Sequence, residues 1–509
     1  ADPSTQLVRD HPQSVTNAFE RRRRMHVIDT LRKTPAFSPV LAVIVMVSVG
    51  FSAERVSGEE KAGLSIATLE QIQTAALRSD YGYSQLDYLC NKIGPRMSGS
   101  PQAAAAVQYV AEQFRELGLE VSLEPVMVPH WVRGQETAEL IKIPEAPPGF
   151  EQKVILTALG GSVPTPPEGI TASVVVVNSF EELDKLGAAG VKGKIVLFNV
   201  AFDTKLADAG FSHEAYVRVV PYRVTGAYRA VALGAVASLL RSIGPTDFRL
   251  AHTGSVGYFD GPKIPAAAIS AEDADLIAHL SKDGPVVMHL VLTPTILPDE
   301  RSANVIADLR GSDHPEQIVI VSAHLDSWDL GTGCIDNGAG IAEILQAARV
   351  FHELKLRPRR TIRFIAWMNE ENAANGGNGY DQYAKDHRSE LSKHVADIEI
   401  DVGTWHPVGY EFYGSEELRK ALRPLRSVLG KISSGVVFLR PYAGDMDEFM
   451  PGLSPVADNR TYYATHHTVA DTFAMIDPRG LQENAAVMAV LGYAMASVPE
   501  EVIQHPLPK

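Results

Sequence analysis

The sequence has few cysteines, no excess of positive charge, and no long apolar run outside its first 60 residues. Only Cys90 and Cys334 occur in 509 residues, so a framework of several disulfides is excluded. One bridge between these two cysteines is open, but we favour two unpaired thiols. The formal net charge of −14 and the lack of a basic stripe argue against nucleic acid as a partner.

Several catalytic signatures are also missing. The chain has no G-x-S-x-G elbow of a serine hydrolase, no H-E-x-x-H zincin helix and no C-x-x-C pair. The glycines of segment 376–379 are not accompanied by the lysine of a phosphate-binding loop. The chemistry must therefore be sought in residues that are far apart in the sequence.

The first 60 residues resemble a leader more than a folded domain. Arg32 and Lys33 precede the apolar run 39–51, and small residues follow it. This order is typical of a secretory signal near residues 25–53. The run is shorter than the roughly 20 residues that a spanning helix needs. We therefore predict a secreted or periplasmic protein with no stable membrane insertion after signal removal.

Composition and local pattern predict a layered α/β protein. The chain is 45% hydrophobic and 21% charged, which is typical of globular proteins, and its length exceeds one ordinary domain. Strands and helices alternate in 298–509, which predicts a mixed central sheet flanked by helices. Region 61–136 belongs to the same domain. Region 137–297 has short β-branched runs between Pro- and Gly-rich turns and one alanine-rich helix at 227–240, so we predict a mostly-β insertion.

Three predicted strands each end next to a residue capable of metal binding or proton transfer. The strands are 317–322, 361–368 and 395–400, and the residues are His324, then Glu370 and Glu371, then Asp401. The carboxyl ends of strands in open α/β sheets line the crevice where ligands bind. A single acid there is most often a solvated loop residue, but three strand ends together indicate a site.

Two further residues complete a ligand set. Asp336 lies in a glycine-rich segment just before a predicted helix at 339–354, and His467 lies in a loop before a helix that begins near residue 478. Taken singly, Asp336 resembles an ordinary helix N-cap, and a loop histidine is usually structural. Two imidazoles and three carboxylates suit a pair of zinc ions. The set is His324, Asp336, Glu371, Asp401 and His467.

Two neighbours of these ligands have candidate catalytic roles. Asp326 lies two residues after His324 and shares its face if the segment is extended, so its carboxylate can hold the second imidazole nitrogen. Glu370 stands beside Glu371 and is available for proton transfer. The whole arrangement predicts a hydrolase in which two metal ions share one water.

These motifs together resemble the co-catalytic zinc aminopeptidase/carboxypeptidase family, in particular its plasma glutamate carboxypeptidase branch. The matching segments are 324–329, 336–338, 370–371, 400–404 and 466–472, with 93–100 and 129–134. The resemblance implies a zinc-peptidase fold with a protease-associated domain inserted at 137–297. It also implies a cis peptide bond between Asp336 and Asn337.

The resemblance assigns roles to the ligand set. It implies that His324, Asp336 and Asp401 hold one zinc, that Asp336, Glu371 and His467 hold the second, and that Glu370 is the general base. The implied reaction is hydrolysis of small peptides, in particular dipeptides with a free amino terminus, by a secreted homodimer. A non-catalytic binding protein and a single-zinc aminoacyl cyclotransferase on the same fold are the alternatives. The complete ligand set argues against both.

Overall fold

The structure is a computed structural model that describes residues 64–246, 248–440, 446 and 449–503. The predicted leader 1–60, with its signal near residues 25–53, lies outside the described residues. Within the described ranges, no helix combines the length and the apolar composition that crossing a membrane requires.

The described residues form two eight-stranded sheets. The strands are β1 Glu120–Val132, β2 Glu136–Lys142, β3 Gln152–Val154, β4 Leu156–Ala158, β5 Ile170–Val177, β6 Ile195–Phe198, β7 Ala237–Arg241, β8 Ala266–Ile269, β9 Val287–Leu292, β10 Thr295–Leu309, β11 His314–His324, β12 Arg360–Trp367, β13 His394–Glu399, β14 Pro407–Tyr413, β15 Val436–Leu439 and β16 Gly452–Ala457.

Helices cover both sheets. They are α1 Ile66–Ala76, α2 Tyr81–Tyr88, α3 Pro101–Glu116, α4 Phe180–Val191, α5 Thr204–Asp208, α6 Ser212–Ala232, α7 Ala271–Leu280, α8 Ala339–Glu353, α9 Gly379–Asp386, α10 Glu416–Ala421, α11 Leu425–Leu429, α12 Pro478–Ser497 and α13 Glu500–Ile503. The predicted helices at 339–354 and after residue 478 are confirmed as α8 and α12.

The first sheet has the order β1-β10-β12-β11-β13-β16-β14-β15. Strands β12, β11, β13 and β16 are parallel, β10 pairs antiparallel with β1 and β12, and β14 pairs antiparallel with β16 and parallel with β15. The sheet is therefore mixed, as predicted, and the three predicted strands are confirmed as β11, β12 and β13. These strands are almost entirely buried, because helices cover both faces of a parallel sheet.

Alternate residues of β11 show how both faces are covered. Val319 and Val321 pack in the cluster that includes Ile341 of α8. Ile320, pointing the other way, packs in a different cluster with Tyr383 of α9. Because successive side chains of a strand point to opposite faces, the apolar run at 317–322 supplies two hydrophobic layers.

The second sheet has the order β3-β2-β9-β5-β6-β7-β8-β4. All its strands lie in the chain between β1 and β10 and, apart from Glu136 at the start of β2, within the segment predicted as an insertion. The description of that segment as mostly β is wrong, because helices α4 to α7 contribute more residues than its strands, and α6 alone has 21. The single helix predicted at 227–240 is also wrong, because α6 ends at Ala232 and β7 begins at Ala237.

The two sheets share hydrophobic packing. The part of the chain between β1 and β10, here called the second sheet's segment, contributes Phe198 and Val219 to one buried cluster. The same cluster contains Ile335 and Leu481, which lie in the part of the chain that forms the first sheet and its helices. The chain from Ala62 onward forms one compact unit. The domain boundaries at 60/61, 136/137 and 297/298 therefore stay predictions.

Candidate metal centre

The strand ends of the first sheet bring three predicted site residues to one edge. His324 is the last residue of β11, Glu371 follows the end of β12, and Asp401 follows the end of β13. Because these strands are parallel neighbours, their carboxyl ends open onto one crevice.

Asp336 reaches this edge from the turn Cys334–Gly338, directly before α8. The peptide bond between Asp336 and Asn337 is cis, which confirms the expectation from the resemblance. The Asn337 side-chain amide donates a hydrogen bond to the Ile400 carbonyl at 2.8 Å. The turn is thereby tied to the strand end that carries Asp401.

One group of donor atoms gathers at the first oxygen of Asp336. Nε2 of His324 lies 3.1 Å from Oδ1 of Asp336 and 2.8 Å from Oδ1 of Asp401. His324 and Asp336 are buried, whereas 49% of the Asp401 side chain is exposed. An imidazole with two carboxylates is a donor set that zinc accepts, and the exposed side leaves a coordination position accessible.

A second group gathers at the other oxygen of Asp336. Nε2 of His467 lies 3.2 Å from Oδ2 of Asp336 and 2.9 Å from Oε2 of Glu371. Nε2 of His466 is also 3.2 Å from the same Oδ2, and its ring stacks on His467 with centroids 3.5 Å apart. Asp336 therefore presents a different oxygen to each group.

The charges of the site fit bound divalent cations. Burial and the neighbouring Asp336 raise the pKa of Glu371 to about 7, and its Oε1 is buried without a hydrogen-bond partner in the described structure. Burial alone would lower the pKa of His467, but Glu371 and Asp336 raise it to about 9. These raised pKa values mean that the buried carboxylates favour a positive charge beside them, which protonated histidines provide in the absence of another cation. A bound metal ion would replace those protons and supply the positive charge itself.

Asp326 differs in one respect from the prediction. Nδ1 of His324 lies 3.0 Å from the main-chain oxygen of Asp326 but 3.9 Å from its carboxylate. The carboxylate instead accepts the amide N–H groups of Glu370 and Glu371, at 3.1 and 3.2 Å. The chain turns after His324, so the carbonyl takes the imidazole while the carboxylate holds the main chain of the two glutamates.

Glu370 lies beside the first group of donors. It is half-buried, whereas Glu371 is buried. Burial would lower the pKa of His324, but Asp401 and other carboxylates, Glu370 among them, hold it well above its usual value. The negative charge of Glu370 therefore acts on His324.

Two structurally important residues lie in motifs quoted for the resemblance but were not predicted as site residues. Asp471 is buried and accepts the amide N–H groups of Cys334 and Ile335 at 2.8 and 2.7 Å. Arg96 is completely buried, and its guanidinium donates to the carbonyls of Leu325 and Gly333 at 2.8 and 2.6 Å. Both side chains hold the loops that position His324 and Asp336.

The cysteines form a disulfide between Cys90 and Cys334, so the prediction of two unpaired thiols is wrong. The residues are 244 positions apart, and no local pattern shows that they meet. Their Cα atoms come within 5.8 Å because the segment after α2 packs on the turn that carries Asp336. The bridge therefore joins that turn to the N-terminal helices.

The second sheet's segment also reaches the site, which nothing in the sequence indicated. The amide of Thr253 donates to the His467 carbonyl at 2.9 Å, and the Thr253 carbonyl lies 3.3 Å from Nδ1 of His467. A carbonyl at Nδ1 favours the tautomer that leaves Nε2 free to bind a metal. The orientation of His467 therefore depends on residues outside the first sheet.

Comparison with known proteins identifies the family of this chain. Residues 304–492 match Peptidase family M28. The chain is 38% identical to carboxypeptidase Q of Homo sapiens over 425 residues, which cover 82% of this chain and 86% of that protein. The chain belongs to peptidase family M28. The predicted family resemblance is thus confirmed. This chain is therefore a metallopeptidase.

Solved structures support the fold. The peptidase M28 precursor from Shewanella amazonensis matches with a TM-score of 0.80 and 34% identity, over 87% of this chain and 99% of that one. The structure of a zinc aminopeptidase from Bacillus subtilis matches with a TM-score of 0.56 and 21% identity, over 81% of this chain and 93% of that one. The individual roles of the seven predicted site residues stay predictions for this M28 chain.

Proposed function

We propose that this chain is a di-zinc exopeptidase that hydrolyses short peptides, in particular dipeptides with a free amino terminus. The observation that carries the proposal is the position of Asp336, whose two carboxylate oxygens face two separate groups of donor atoms. A single-metal enzyme has no need of the second group, so the cyclotransferase alternative is disfavoured. One relative is named as a carboxypeptidase and another as a zinc aminopeptidase, which supports exopeptidase activity and zinc as the metal.

One zinc would be held by His324, Asp336 and Asp401, and the other by Asp336, Glu371 and His467. Such ions polarise the scissile carbonyl and make water a stronger acid. Nε2 of His466 lies as close to Oδ2 of Asp336 as Nε2 of His467 does. However, His466 lacks the contact that His467 makes with Glu371. Its ring packs against the rings of Tyr462 and Tyr463, which suits a structural role.

Glu370 would be the general base. It would take the proton of the attacking water and deliver it to the leaving amine of the product. Its main chain and that of Glu371 are fixed by one carboxylate, Asp326, so the proton carrier and the metal ligand keep a constant spacing. A positioned carboxylate of this kind contributes about 10²- to 10⁴-fold in rate.

The Glu370→Gln variant tests this assignment. We expect zinc content and thermal stability to stay at the wild-type level while kcat for dipeptides falls by about 10²-fold or more, because the amide cannot accept a proton. Zinc is measured by elemental analysis, and turnover by mass spectrometry of a dipeptide library digested with and without chelator. The matched control is Glu390→Gln, an exposed glutamate away from the centre. Activity close to wild type in Glu370→Gln would refute the general-base role.

Secretion, a homodimer and a protease-associated domain at 137–297 remain parts of the proposal. The disulfide between Cys90 and Cys334 suits an oxidising compartment. Exposed apolar side chains on the β1–β10 ribbon, among them Met127 and Ile296, suit contact with a second copy. Light scattering of the purified protein tests the dimer, and a monomer at micromolar concentration would contradict it.

A further inference from the structure

Segment 94–100, between α2 and α3, lies against the loop that follows His324. The amide of Arg96 donates to Oγ of Ser327 at 3.0 Å, and the amide of Ser327 donates to the Arg96 carbonyl at 3.3 Å. The Arg96 guanidinium adds its bond to the Leu325 carbonyl. A part of the chain that supplies no predicted metal ligand is therefore fixed beside the first of them.

Ser98 extends this contact to the carboxylate of Asp326. Its Oγ donates to Oδ2 of Asp326 at 3.3 Å, and both residues are 1% exposed. The next residue, Gly99, has a φ of +80°, and a side-chain carbon there would lie 3.0 Å from Cβ of His130 in β1. Because glycine adopts this conformation without strain, the segment can turn closely over β1 and hold Ser98 in place.

Asp326 is a buried carboxylate that depends on hydrogen bonds. Among the described residues, no lysine or arginine nitrogen lies within 4.0 Å of it. Its three close donors are the amides of Glu370 and Glu371, at 3.1 and 3.2 Å, and the hydroxyl of Ser98. Burying a charged group is costly unless hydrogen bonds replace its lost hydration. Each donor therefore helps to keep this carboxylate in its observed orientation.

Without the Ser98 hydroxyl, the carboxylate of Asp326 can turn to a different donor. Nδ1 of His324 lies 3.9 Å from Oδ1 of Asp326, and the torsion that rotates an aspartate carboxylate is soft. Rotation towards His324 would weaken the bonds to the amides of Glu370 and Glu371. Because a side chain follows its own main chain, a shift of the Glu370 amide moves the carboxylate that carries the proton. Ser98 opposes this rotation, because the oxygen that it holds also accepts the amide of Glu371.

We propose that Ser98 is a positioning residue for the general base, and that it acts through Asp326 on the main chain of Glu370. This inference rests on the proposed function and extends it, because it adds a third residue behind the proton carrier. It gives segment 94–100 a role in turnover besides the structural support that Arg96 provides.

The Ser98→Ala variant tests this role with a dipeptide that the wild type cleaves. We expect kcat to fall by roughly 10-fold with KM nearly unchanged, because a misplaced catalytic group slows the chemical step. Zinc content, measured by elemental analysis, should stay at the wild-type level. The matched control is Ser100→Ala in the same segment, whose hydroxyl accepts the Ala103 amide at 3.1 Å and caps α3. This control should lower the melting temperature and leave kcat unchanged.

A double-mutant cycle shows whether Ser98 acts through the base. Once Glu370→Gln has removed the base, adding Ser98→Ala should cause no further loss of kcat, because the effects of residues that act as a unit are not additive. An unchanged kcat in Ser98→Ala, the same further loss in both backgrounds, or loss of zinc would overturn the inference. Wild-type activity in Glu370→Gln would refute the proposed general base itself, whereas wild-type protein that cleaves no peptide refutes the proposed function.

Discussion

At the scale of single residues, Asp336 connects more of the site than any other predicted ligand. Its oxygens contact His324 on one side and His467 on the other. Its amide is held by Asp471 at 3.3 Å. In the proposed di-zinc centre, this one carboxylate couples the two metal positions, so loss of its side chain should affect both.

The Asp336→Ala variant tests this dependence. We expect it to lose both zinc ions, whereas His467→Ala should lose one and retain the ion held by His324 and Asp401. Zinc per chain is measured by elemental analysis after gel filtration in zinc-free buffer. Asp381→Asn, an exposed carboxylate on α9, serves as the control. Retention of two zinc ions by Asp336→Ala would exclude a bridging role.

The residue scale also shows which positions the sequence can bring together and which contacts it cannot. His324, Glu371 and Asp401 were identified because each follows a buried parallel strand, and strand ends converge by geometry. The contact of Asp326 was assigned to its side chain because the H-x-D spacing cannot distinguish a carboxylate from the carbonyl of the same residue. The contact of Thr253 with His467 had no signal at all, since the two residues lie far apart in the chain.

At the scale of elements, the parallel strands β11, β12 and β13 of the first sheet were predictable because each contains an apolar run with a clear end. The second sheet's segment was harder. Around 227–240, the end of α6 and the buried strand β7 both contain alanine and larger apolar residues, and a strand buried on both faces has no alternation to distinguish it from a helix. The boundary is set by Gly234, whose φ of +86° ends the helix in a conformation that glycine adopts readily.

The contact between α9 and β1 should make stability depend on pH. Nε2 of His387, after α9, lies 2.9 Å from Oε1 of Glu124 in β1, and this hydrogen bond raises the pKa of His387. A raised folded-state pKa stabilises the protein fully below the unfolded pKa of about 6.5. That stabilisation is lost as the pH rises through the higher folded-state value.

The His387→Gln variant measures this contribution. We expect its melting temperature to lie below that of the wild type near about pH 6 and to approach it near about pH 9, with a difference in unfolding free energy of less than about 1 kcal/mol. Thermal unfolding followed by circular dichroism at both pH values provides the comparison. Glu124→Gln should show the same pH trend, and a larger deficit at the higher pH in either variant would contradict the assignment.

At the scale of the whole molecule, the two sheets depend on each other. The second sheet's segment supplies Thr253 to His467, and Arg133, just before β2, pairs with Asp329 in the loop after β11. The shared cluster of Phe198 and Ile335 lies between them. Removing the segment would expose that core, so point changes at the contact are a cleaner test of coupling than deletion.

Arg133→Met should weaken the whole chain from residue 62 onward and not only one sheet. The change leaves the carboxylates of Asp329 and Glu136, which are 22% and 13% exposed, without their cation, and loss of one partner of a buried pair costs about 3 to 5 kcal/mol. If the sheets unfold together, circular dichroism and zinc release should report one transition at a lower denaturant concentration than in the wild type.

The control is the double variant Arg133→Met with Asp329→Asn. Because it also removes the charge that Arg133→Met leaves unpaired, it should recover part of the lost stability. Two separate transitions, with zinc released at the wild-type midpoint, would mean that the sheets are energetically independent and that the contact at Arg133 does not support the metal centre.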